Sequence, residues 1–406
     1  MLDKEEFILH RSKIMDSISN KSAMILFSRK PSEFKMLPDK NFYYATGIKE
    51  NDDIVFILKD NDKVSTTILV SEYDEFKAKW VGCGMTKEEA INISGADSAR
   101  YIKEFESLLD FYIKADYTLY FDFEDANMSS NEVLELNGLV SKIRAKYPYV
   151  MIKDARPYLR SARTIKTPNE IEEIKKAIEA TNQGIKALME NAKEGLYEYQ
   201  LESYFDQKIK YYGADGYAFN TIAASGKNSC CLHYSQNDSI MCDGDLILFD
   251  LGSTNNVYCA DISRTFPVNG KFSPRQKQIY EIVLNGQKLV FDSIKPGLTT
   301  RDLNNILVDY YKVELKKIGL IKEDCEVSKY YYHGVSHHLG LDCHDLCDYT
   351  PLKPGCVISN EPGLYIPEEN IGIRIEDDVL VIENGCINLS SSIIKEIDQI
   401  EKFMKR

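Results

Sequence analysis

Residues 245–266 read DLILFDLGSTNNVYCADISRTF, and this segment predicts the architecture of the second half of the chain. Two runs rich in apolar and β-branched residues flank a polar turn at residues 253–256, a pattern that predicts an antiparallel hairpin. A turn centred near residues 254–256 would place Asp250 opposite Asp261, or one residue away. Like charges directly opposed on one sheet face are destabilising. The hairpin therefore indicates that something compensates this carboxylate pair.

The same arrangement recurs in residues 356–382, CVISNEPGLYIPEENIGIRIEDDVLVI. The polar turn lies at residues 367–370, and Glu361 and Glu376 are equidistant from its centre. Apolar neighbours mark the strands of both hairpins as core, where an unpaired carboxylate is costly: Leu246, Ile247, Leu248, Phe249, Ile373, Ile375 and Val379. A single hairpin of this kind is compatible with a solvated acidic strand. Two of them in one domain predict a shared cation site, in which two divalent ions neutralise four carboxylates.

The histidines are concentrated in one part of the chain, with five of the six between residues 233 and 344. One histidine alone is more often a core or surface residue than a ligand. Four histidines within the segment HGVSHHLGLDCHD, which begins at residue 333, favour a binding site: His333, His337, His338 and His344. Oxygen ligands with little nitrogen suit Mn²⁺ or Mg²⁺. A soft site on Cys343 and Cys347 is the less favoured alternative, because no second cysteine pair accompanies it.

The composition is that of a globular protein, with 406 residues, 44% hydrophobic and 28% charged residues and a net charge of −13. The acidic balance and the lack of a Lys- and Arg-dense stripe disfavour nucleic acid as a partner. The N-terminal sequence MLDKEEFILHRSK lacks the features of a secretory signal, and no apolar run approaches about 18 residues. Ten scattered cysteines indicate reduced thiols. We therefore expect a cytoplasmic protein with no membrane association.

Two domains are expected, at residues 1–160 and 161–406. In the first, short β-rich runs alternate with amphipathic helices, which is typical of an α/β domain; the runs are residues 23–28, 54–58, 66–70 and 117–121. A helix then begins at Pro168, with Thr167 and Glu170 as a capping box. Further helices are expected near residues 197–212, 274–294 and 300–318.

Five motifs occur in a fixed order in the second domain: LILFDLG, YCADISRTFP, HGVSHHLGLDCHD, SNEPGLYI and IGIRIEDD. Together they resemble the pita-bread metallopeptidases, specifically the Xaa-Pro aminopeptidase (aminopeptidase P) branch. The resemblance covers residues 165–400 and extends to the first domain through FILHRSKI and NFYYATGI. It implies an α/β N-terminal domain followed by an α+β pita-bread catalytic domain with a pseudo-twofold antiparallel sheet.

The resemblance also implies a dinuclear metal site, with Mn²⁺ as the first expectation and Co²⁺, Zn²⁺ or Mg²⁺ as alternatives. The implied ligands are Asp250, Asp261, His337, Glu361 and Glu376. Asp261 and Glu376 would bridge the two ions. The four carboxylates in this set are those that the two hairpins had selected independently. The metals would supply a bridging hydroxide as the nucleophile.

The implied reaction is removal of the N-terminal residue from small peptides that carry proline in the second position. Glu361 would move the proton of the nucleophile, His344 or a metal would stabilise the oxyanion, and His233 would help to position the substrate. The remaining implied substrate contacts are His333, Tyr365 and Arg374. A homo-oligomer, dimer or tetramer, is expected.

Three residues depart from the usual family pattern, namely Cys343, His338 and Asn360. None is expected to touch an implied ligand, so they bear on substrate preference. The nearest alternative is a prolidase, which cleaves only Xaa-Pro dipeptides with the same metals and fold. The serine of HGVSH, the LDCHD ending and the N-terminal domain favour the aminopeptidase.

Other protein classes are less favoured because they generally lack features that this chain has. Methionine aminopeptidases generally lack this N-terminal domain. A metal-free creatinase-like hydrolase or a non-enzymatic binding module typically loses part of the ligand set, and all five positions are present here.

Overall fold

The computed structural model describes residues 2–28, 38–50, 52–81, 84–123 and 131–405. The chain divides into two compact units, Met1–Arg163 and Thr164–Arg406. None of the helices described is both long and apolar enough to cross a lipid bilayer.

The first unit is an α/β domain built on a six-stranded sheet. Its strands are β1 (Ser22–Phe27), β2 (Ile54–Asp60), β3 (Lys63–Val70), β4 (Ser98–Tyr101), β5 (Thr118–Phe121) and β6 (Ile152–Asp154). Their order is β4-β3-β2-β1-β5-β6, with β1 antiparallel to β2 and parallel to β5. The helices are α1 (Lys4–Met15), α2 (Lys40–Thr46), α3 (Glu75–Val81), α4 (Lys87–Ser94), α5 (Phe105–Lys114), α6 (Asn131–Lys146) and α7 (Arg156–Thr164). The α/β prediction is confirmed, since all four predicted β-rich runs form strands.

The second unit combines long helices with antiparallel strands. The helices are α8 (Pro168–Asn191), α9 (Glu198–Tyr211), α10 (Pro274–Ser293), α11 (Thr300–Lys317) and α12 (Ile397–Phe403). The strands are β7 (Gly216–Tyr217), β8 (Ile222–Ser225), β9 (Leu246–Leu251), β10 (Ser253–Asn255), β11 (Tyr258–Cys259), β12 (Ile262–Pro267), β13 (Val357–Asn360), β14 (Gly363–Ile366), β15 (Ile371–Arg374), β16 (Asp377–Ile382) and β17 (Gly385–Asn388). The predicted helices are confirmed to within a residue or two at each end.

Helix α8 begins as its sequence predicts. The backbone N–H of Glu170 donates to Thr167 Oγ1 at 3.2 Å, and the backbone N–H of Thr167 donates to Glu170 Oε2 at 2.8 Å. This capping box satisfies two of the N–H groups left free at a helix start. Ile174, Ile178 and Ile185 are buried along one face of the helix.

The first hairpin has a different register from the one predicted. Asp250 pairs with Ser263, so Asp261 lies two residues from the position opposite Asp250. The turn is centred between Asn256 and Val257, which have φ values of 45° and 72°, one residue later than the predicted centre. Because side chains alternate between sheet faces, an offset of two keeps both carboxylates on the same face.

The second hairpin has the predicted register. Strand β14 pairs with β15 across the turn, with Gly363 opposite Arg374. The next ladder, between β13 and β16, places Asn360 opposite Asp377 in the same register. Glu361 and Glu376 lie between these two ladders, equidistant from the turn.

Candidate active site

The predicted ligand residues converge around one imidazole. His337 Nε2 lies 3.3 Å from Asp261 Oδ2, 3.4 Å from Glu361 Oε1 and 4.0 Å from Glu376 Oε1. Ligand atoms of Asp261, His337 and Glu376 all lie within 4.8 Å of one another. Asp250, near the end of β9, is close enough to Asp261 for the two charges to interact. The two hairpins therefore bring their carboxylates to a single place.

Backbone contacts between the hairpins hold these carboxylates. The N–H of Glu376 donates to Ser263 O at 3.1 Å, and the N–H of Asp261 donates to the Asp378 carboxylate at 3.2 Å. Each contact joins a residue of the first hairpin to one of the second. These two contacts, one between backbone groups and one to the Asp378 side chain, consequently restrict the spacing of the carboxylates.

Arg374 is the buried cation of the site and lies at the end of β15. Its Nη2 donates to Asp250 Oδ2 at 2.6 Å, and its Nε donates to Ser263 Oγ at 2.8 Å. The Ser263 hydroxyl in turn donates to Glu376 Oε2 at 2.7 Å. Arg374 therefore offsets part of the negative charge and orients one carboxylate from each hairpin.

The three predicted substrate contacts form one hydrogen-bonded group. The hydroxyl of Tyr365 lies 2.9 Å from His333 Nε2 and accepts a hydrogen bond from Arg374 Nη1 at 3.0 Å. His333 Nδ1 is 3.7 Å from Glu361 Oε2, which connects this group to the carboxylates. Burial, reinforced by the charge of Arg374, lowers the pKa of His333 to about 4, so its ring is neutral near pH 7.

The two other predicted catalytic histidines are exposed side chains at the same site. The ring of His344 lies 4.1 Å from that of His337, measured between centroids. Burial and the neighbouring charge of His337 lower the pKa of His344. His233 interacts electrostatically with both His333 and His344. The structure therefore brings together all the residues predicted for the site.

The crowding of charge shifts several pKa values in the metal-free chain. Burial raises the pKa of Asp250 to about 6 and that of Glu361 to about 7, with Asp261 adding to both. Burial and the charge of Asp261 raise the pKa of Glu376 well above its ordinary value. Burial alone would lower the pKa of His337, but Asp261 and Glu361 outweigh it and raise the pKa to about 9. His337 and Arg374 therefore offset only part of the negative charge that four carboxylates would carry.

Two buried carboxylate oxygens show what kind of ligand would offset the remaining negative charge. Asp250 Oδ1 and Glu376 Oε1 have no hydrogen-bond partner among the described residues. Buried polar atoms are nearly always partnered, so these two need an explanation. Unpaired carboxylate oxygens beside an imidazole match the oxygen-rich ligation of hard divalent cations. The residues present fit a divalent metal site.

At the site, the expectation for Cys343 is wrong. Cys343 was expected not to touch an implied ligand, but its thiol donates to Asp261 Oδ2 at 2.8 Å. Burial and the charge of Asp261 raise the pKa of Cys343, so the thiol stays protonated in the metal-free chain. The contact arises because residues 337–344 fold back over the first hairpin, a long-range feature without a local sequence signal.

Two family models match the chain. One is described as metallopeptidase family M24 and matches residues 172–383, and the other is the aminopeptidase P N-terminal domain, matching residues 7–120. The chain belongs to metallopeptidase family M24. This M24 member is therefore a hydrolase, and the predicted enzyme class is confirmed.

Relatives of this M24 peptidase match over nearly its whole length. An Xaa-Pro aminopeptidase of Escherichia coli (strain K12) is 32% identical, over 99% of this chain and 98% of its own. Intermediate cleaving peptidase 55 of Saccharomyces cerevisiae is also 32% identical, over 98% of this chain and 84% of its own. A Bacillus anthracis structure proposed to be an aminopeptidase P has a TM-score of 0.96 and 43% identity, and covers 100% of this chain and 99% of that one. The predicted α/β domain followed by a pita-bread domain is confirmed.

Proposed function

We propose that this M24 peptidase is an Xaa-Pro aminopeptidase, which removes the N-terminal residue from peptides with proline in the second position. The observation that carries the proposal is the cluster of His337 and four carboxylates beside the His333, Tyr365 and Arg374 group. The names of the full-length relatives support the same activity.

The proposed metal ligands are Asp250, Asp261, His337, Glu361 and Glu376. We propose two divalent ions, with Mn²⁺ first and Co²⁺, Zn²⁺ or Mg²⁺ as alternatives. When bound, such ions act as Lewis acids and lower the pKa of water towards neutrality. Asp261 and Glu376, whose ligand atoms lie within 4.8 Å of each other, would be shared between the ions.

Glu361 is the proposed proton carrier. Glutamate can serve as a general acid and base, and the two oxygens of Glu361 lie 3.4 Å from His337 Nε2 and 3.7 Å from His333 Nδ1. The Ser359 hydroxyl donates to Glu361 Oε1 at 3.2 Å and fixes that oxygen beside His337. The other oxygen faces His333. Glu361 can therefore accept a proton on one side of the peptide bond and release it to the leaving nitrogen.

The other proposed contacts follow from charge and exposure. The acidic cluster attracts the ammonium group of a peptide N-terminus, which favours an exopeptidase. The neutral ring of His333, packed at 5.6 Å centroid distance from Tyr365, offers an uncharged surface for a proline ring. His344 is placed to donate to the oxyanion and His233 to orient the peptide, since both are exposed at the site.

The wider setting of the enzyme is also proposed. We place it in the cytoplasm, as a homo-oligomer that acts on small peptides, with no nucleic acid or membrane partner. The nine cysteines that the structure describes are all free thiols, which supports a reducing compartment. The N-terminal domain, residues 1–160, would support assembly.

The first test compares two peptide lengths. The purified protein is stripped with a chelator, Mn²⁺ is restored, and cleavage of an Xaa-Pro dipeptide is compared with that of an Xaa-Pro-Xaa tripeptide. We expect no activity without metal and cleavage of the tripeptide at the Xaa-Pro bond with it. Cleavage of the dipeptide alone would favour a prolidase, and metal-independent cleavage would contradict the proposed mechanism.

Glu361→Gln tests the proton carrier in the same assay. We expect kcat to fall by about 10²- to 10⁴-fold. Glu368→Gln makes the same chemical change at the exposed tip of this hairpin and should leave kcat unchanged. Wild-type turnover by Glu361→Gln would contradict the role given to Glu361.

Metal binding should release protons. His337, with a pKa of about 9, is protonated at pH 7.5 in the metal-free chain, whereas a metal ligand must be a neutral imidazole. We expect release of at least one proton per chain, and a metal affinity that rises from pH 6 to pH 9. Isothermal titration of Mn²⁺ in buffers with different ionisation enthalpies measures this release. Binding heats that do not depend on the buffer would contradict this expectation.

A further inference from the structure

A buried carboxylate outside the metal cluster holds the segment that carries His233. This segment, residues 226–241, follows β8 and is called the His233 loop here. Glu198 is the first residue of α9 and has 0% exposure. It has no place in the reaction described above, and its sequence context gave no sign of a functional role.

The Glu198 carboxylate accepts five hydrogen bonds, three of them on Oε1. Those three come from Ser225 N at 2.6 Å, Ser225 Oγ at 2.7 Å and Asn228 Nδ2 at 3.1 Å. Oε2 accepts from the Tyr234 hydroxyl at 2.8 Å and from Ser239 N at 3.0 Å. The donors lie just before the His233 loop, at both of its ends, and at Tyr234, the residue that follows His233.

The backbone of α9 reinforces this attachment. The N–H of Glu198 donates to Ser239 O at 3.0 Å, and the N–H of Tyr199 donates to Asn237 O at 2.8 Å. Asn237 Nδ2 also donates to Glu202 Oε2, one turn further along α9, at 2.8 Å. The first turn of α9 therefore fixes the loop on both sides of His233.

His233 itself is an exposed side chain between these fixed points. An exposed loop residue loses conformational entropy when it is held in one place, and loops are ordinarily mobile. Tyr234, which is buried and bonded to Glu198, is its immediate neighbour. We propose that Glu198 is a positioning residue, which holds the backbone of the loop so that His233 faces the peptide site. This inference rests on the proposed function for the role of His233.

A carboxylate is specifically suited to this task. Both of its oxygens are acceptors, whereas a glutamine offers one acceptor and two donors. In Glu198→Gln the amide NH₂ would face either Ser225 and Asn228 or Tyr234 and Ser239, all of which donate in the wild-type protein. One side of the attachment would be lost while the shape of the side chain is kept.

A double-mutant cycle separates positioning from a merely structural role. We compare kcat and KM of Glu198→Gln, His233→Ala and the double variant on whichever peptide the Mn²⁺-loaded protein cleaves. We expect Glu198→Gln to lower kcat/KM about tenfold, as for residues that orient catalytic ligands. In the His233→Ala background the same change should have less than about twofold effect. An equal loss in both backgrounds would overturn the proposal and leave the proposed function intact.

Two further variants keep the test decisive. Glu173→Gln changes another buried carboxylate of the same unit, one that accepts from Asn256 at 2.8 Å and does not touch the loop. Glu173→Gln should lower thermal stability, and any effect it has on kcat/KM should be the same with and without His233. If Glu198→Gln fails to fold, Tyr234→Phe removes one donor and should lower kcat/KM about threefold, again only when His233 is present.

Hydrogen exchange provides a readout that does not depend on catalysis. We expect Glu198→Gln to increase amide exchange across residues 226–241 more than elsewhere in the second unit. Unchanged exchange in this loop would overturn the proposal, whatever the result of the peptide assay.

Discussion

Glu376→Gln is expected to lower kcat by about 10³-fold, equivalent to roughly 4 kcal/mol of transition-state stabilisation. Glu376 is 2% exposed, and one of its oxygens has no hydrogen-bond partner among the described residues. As the proposed shared ligand, its carboxylate would contact both ions. A neutral amide cannot replace an anion between two cations, so we also expect the metal content to fall below two ions per chain.

The same substitution should stabilise the metal-free protein. The folded-state pKa of Glu376 is raised above its ordinary value of 4.5, mainly by burial and by Asp261. A carboxylate with a raised pKa contributes stability at low pH that is lost as the pH rises through the folded-state pKa. Wild-type protein in chelator should therefore lose stability above about pH 4.5, and Glu376→Gln should lose less.

Three measurements check this pair of effects. They are turnover of the tripeptide, metal content by mass spectrometry, and thermal unfolding in chelator between pH 5 and pH 8. Glu383→Gln, an exposed position in the turn between β16 and β17, is the matched control and should behave as wild type. A fall in both activity and metal-free stability would indicate general damage and not loss of a ligand.

Arg264→Met is expected to cost about 3–5 kcal/mol of the free energy of unfolding of the second unit. The Arg264 guanidinium is fully buried on β12 and donates to the Asp377 carboxylate at 2.7 Å. It also donates to the backbone carbonyls of Ser263, Glu376, Ile393 and Ile394. Methionine has similar length but no donor, so these buried acceptors would lose their partner.

Thermal unfolding of Arg264→Met should show a midpoint lowered by about 10 °C or more. Arg275→Met is the control, because Arg275 also pairs with a carboxylate, through two hydrogen bonds to Glu369 at the surface. An exposed ion pair of this kind contributes about 1 kcal/mol or less to the free energy of unfolding. Arg264→Lys keeps the charge but not the planar guanidinium group, so its unfolding midpoint should lie between those of Arg264→Met and Arg275→Met. Equal losses for Arg264→Met and Arg275→Met would contradict this account.

The hairpins show what sequence patterns can predict here. Alternation of apolar and acidic residues is a local property, and it identified the two hairpins whose four carboxylates meet at one site, with Asp250 in β9 and the other three directly beside strand ends. The turn of the second hairpin was predicted correctly because Asn370 adopts a positive φ of 53°, which asparagine tolerates. The first turn was misplaced because it uses Val257, a β-branched residue that propensity disfavours at φ 72°.

The residues that were missed act through contacts distant in sequence. Arg264 bonds to groups more than a hundred residues away, and Cys343 reaches Asp261 across 82 residues. In the sequence, Glu198 resembles any acidic residue at a helix start, where a negative charge interacts favourably with the helix dipole. Nothing local distinguishes these side chains from surface residues, so they become visible only when the chain is folded.

The division of the carboxylates between two hairpins also affects the order of events during synthesis. Asp250 and Asp261 leave the ribosome well before Glu361 and Glu376, and Arg374 also belongs to the later hairpin. The proposed metal site is therefore complete only after the second hairpin has paired. We expect metal loading to follow folding of the whole second unit, so that a polypeptide interrupted before residue 376 keeps no partial activity. Acquisition of the metal would thus select for chains that have finished folding.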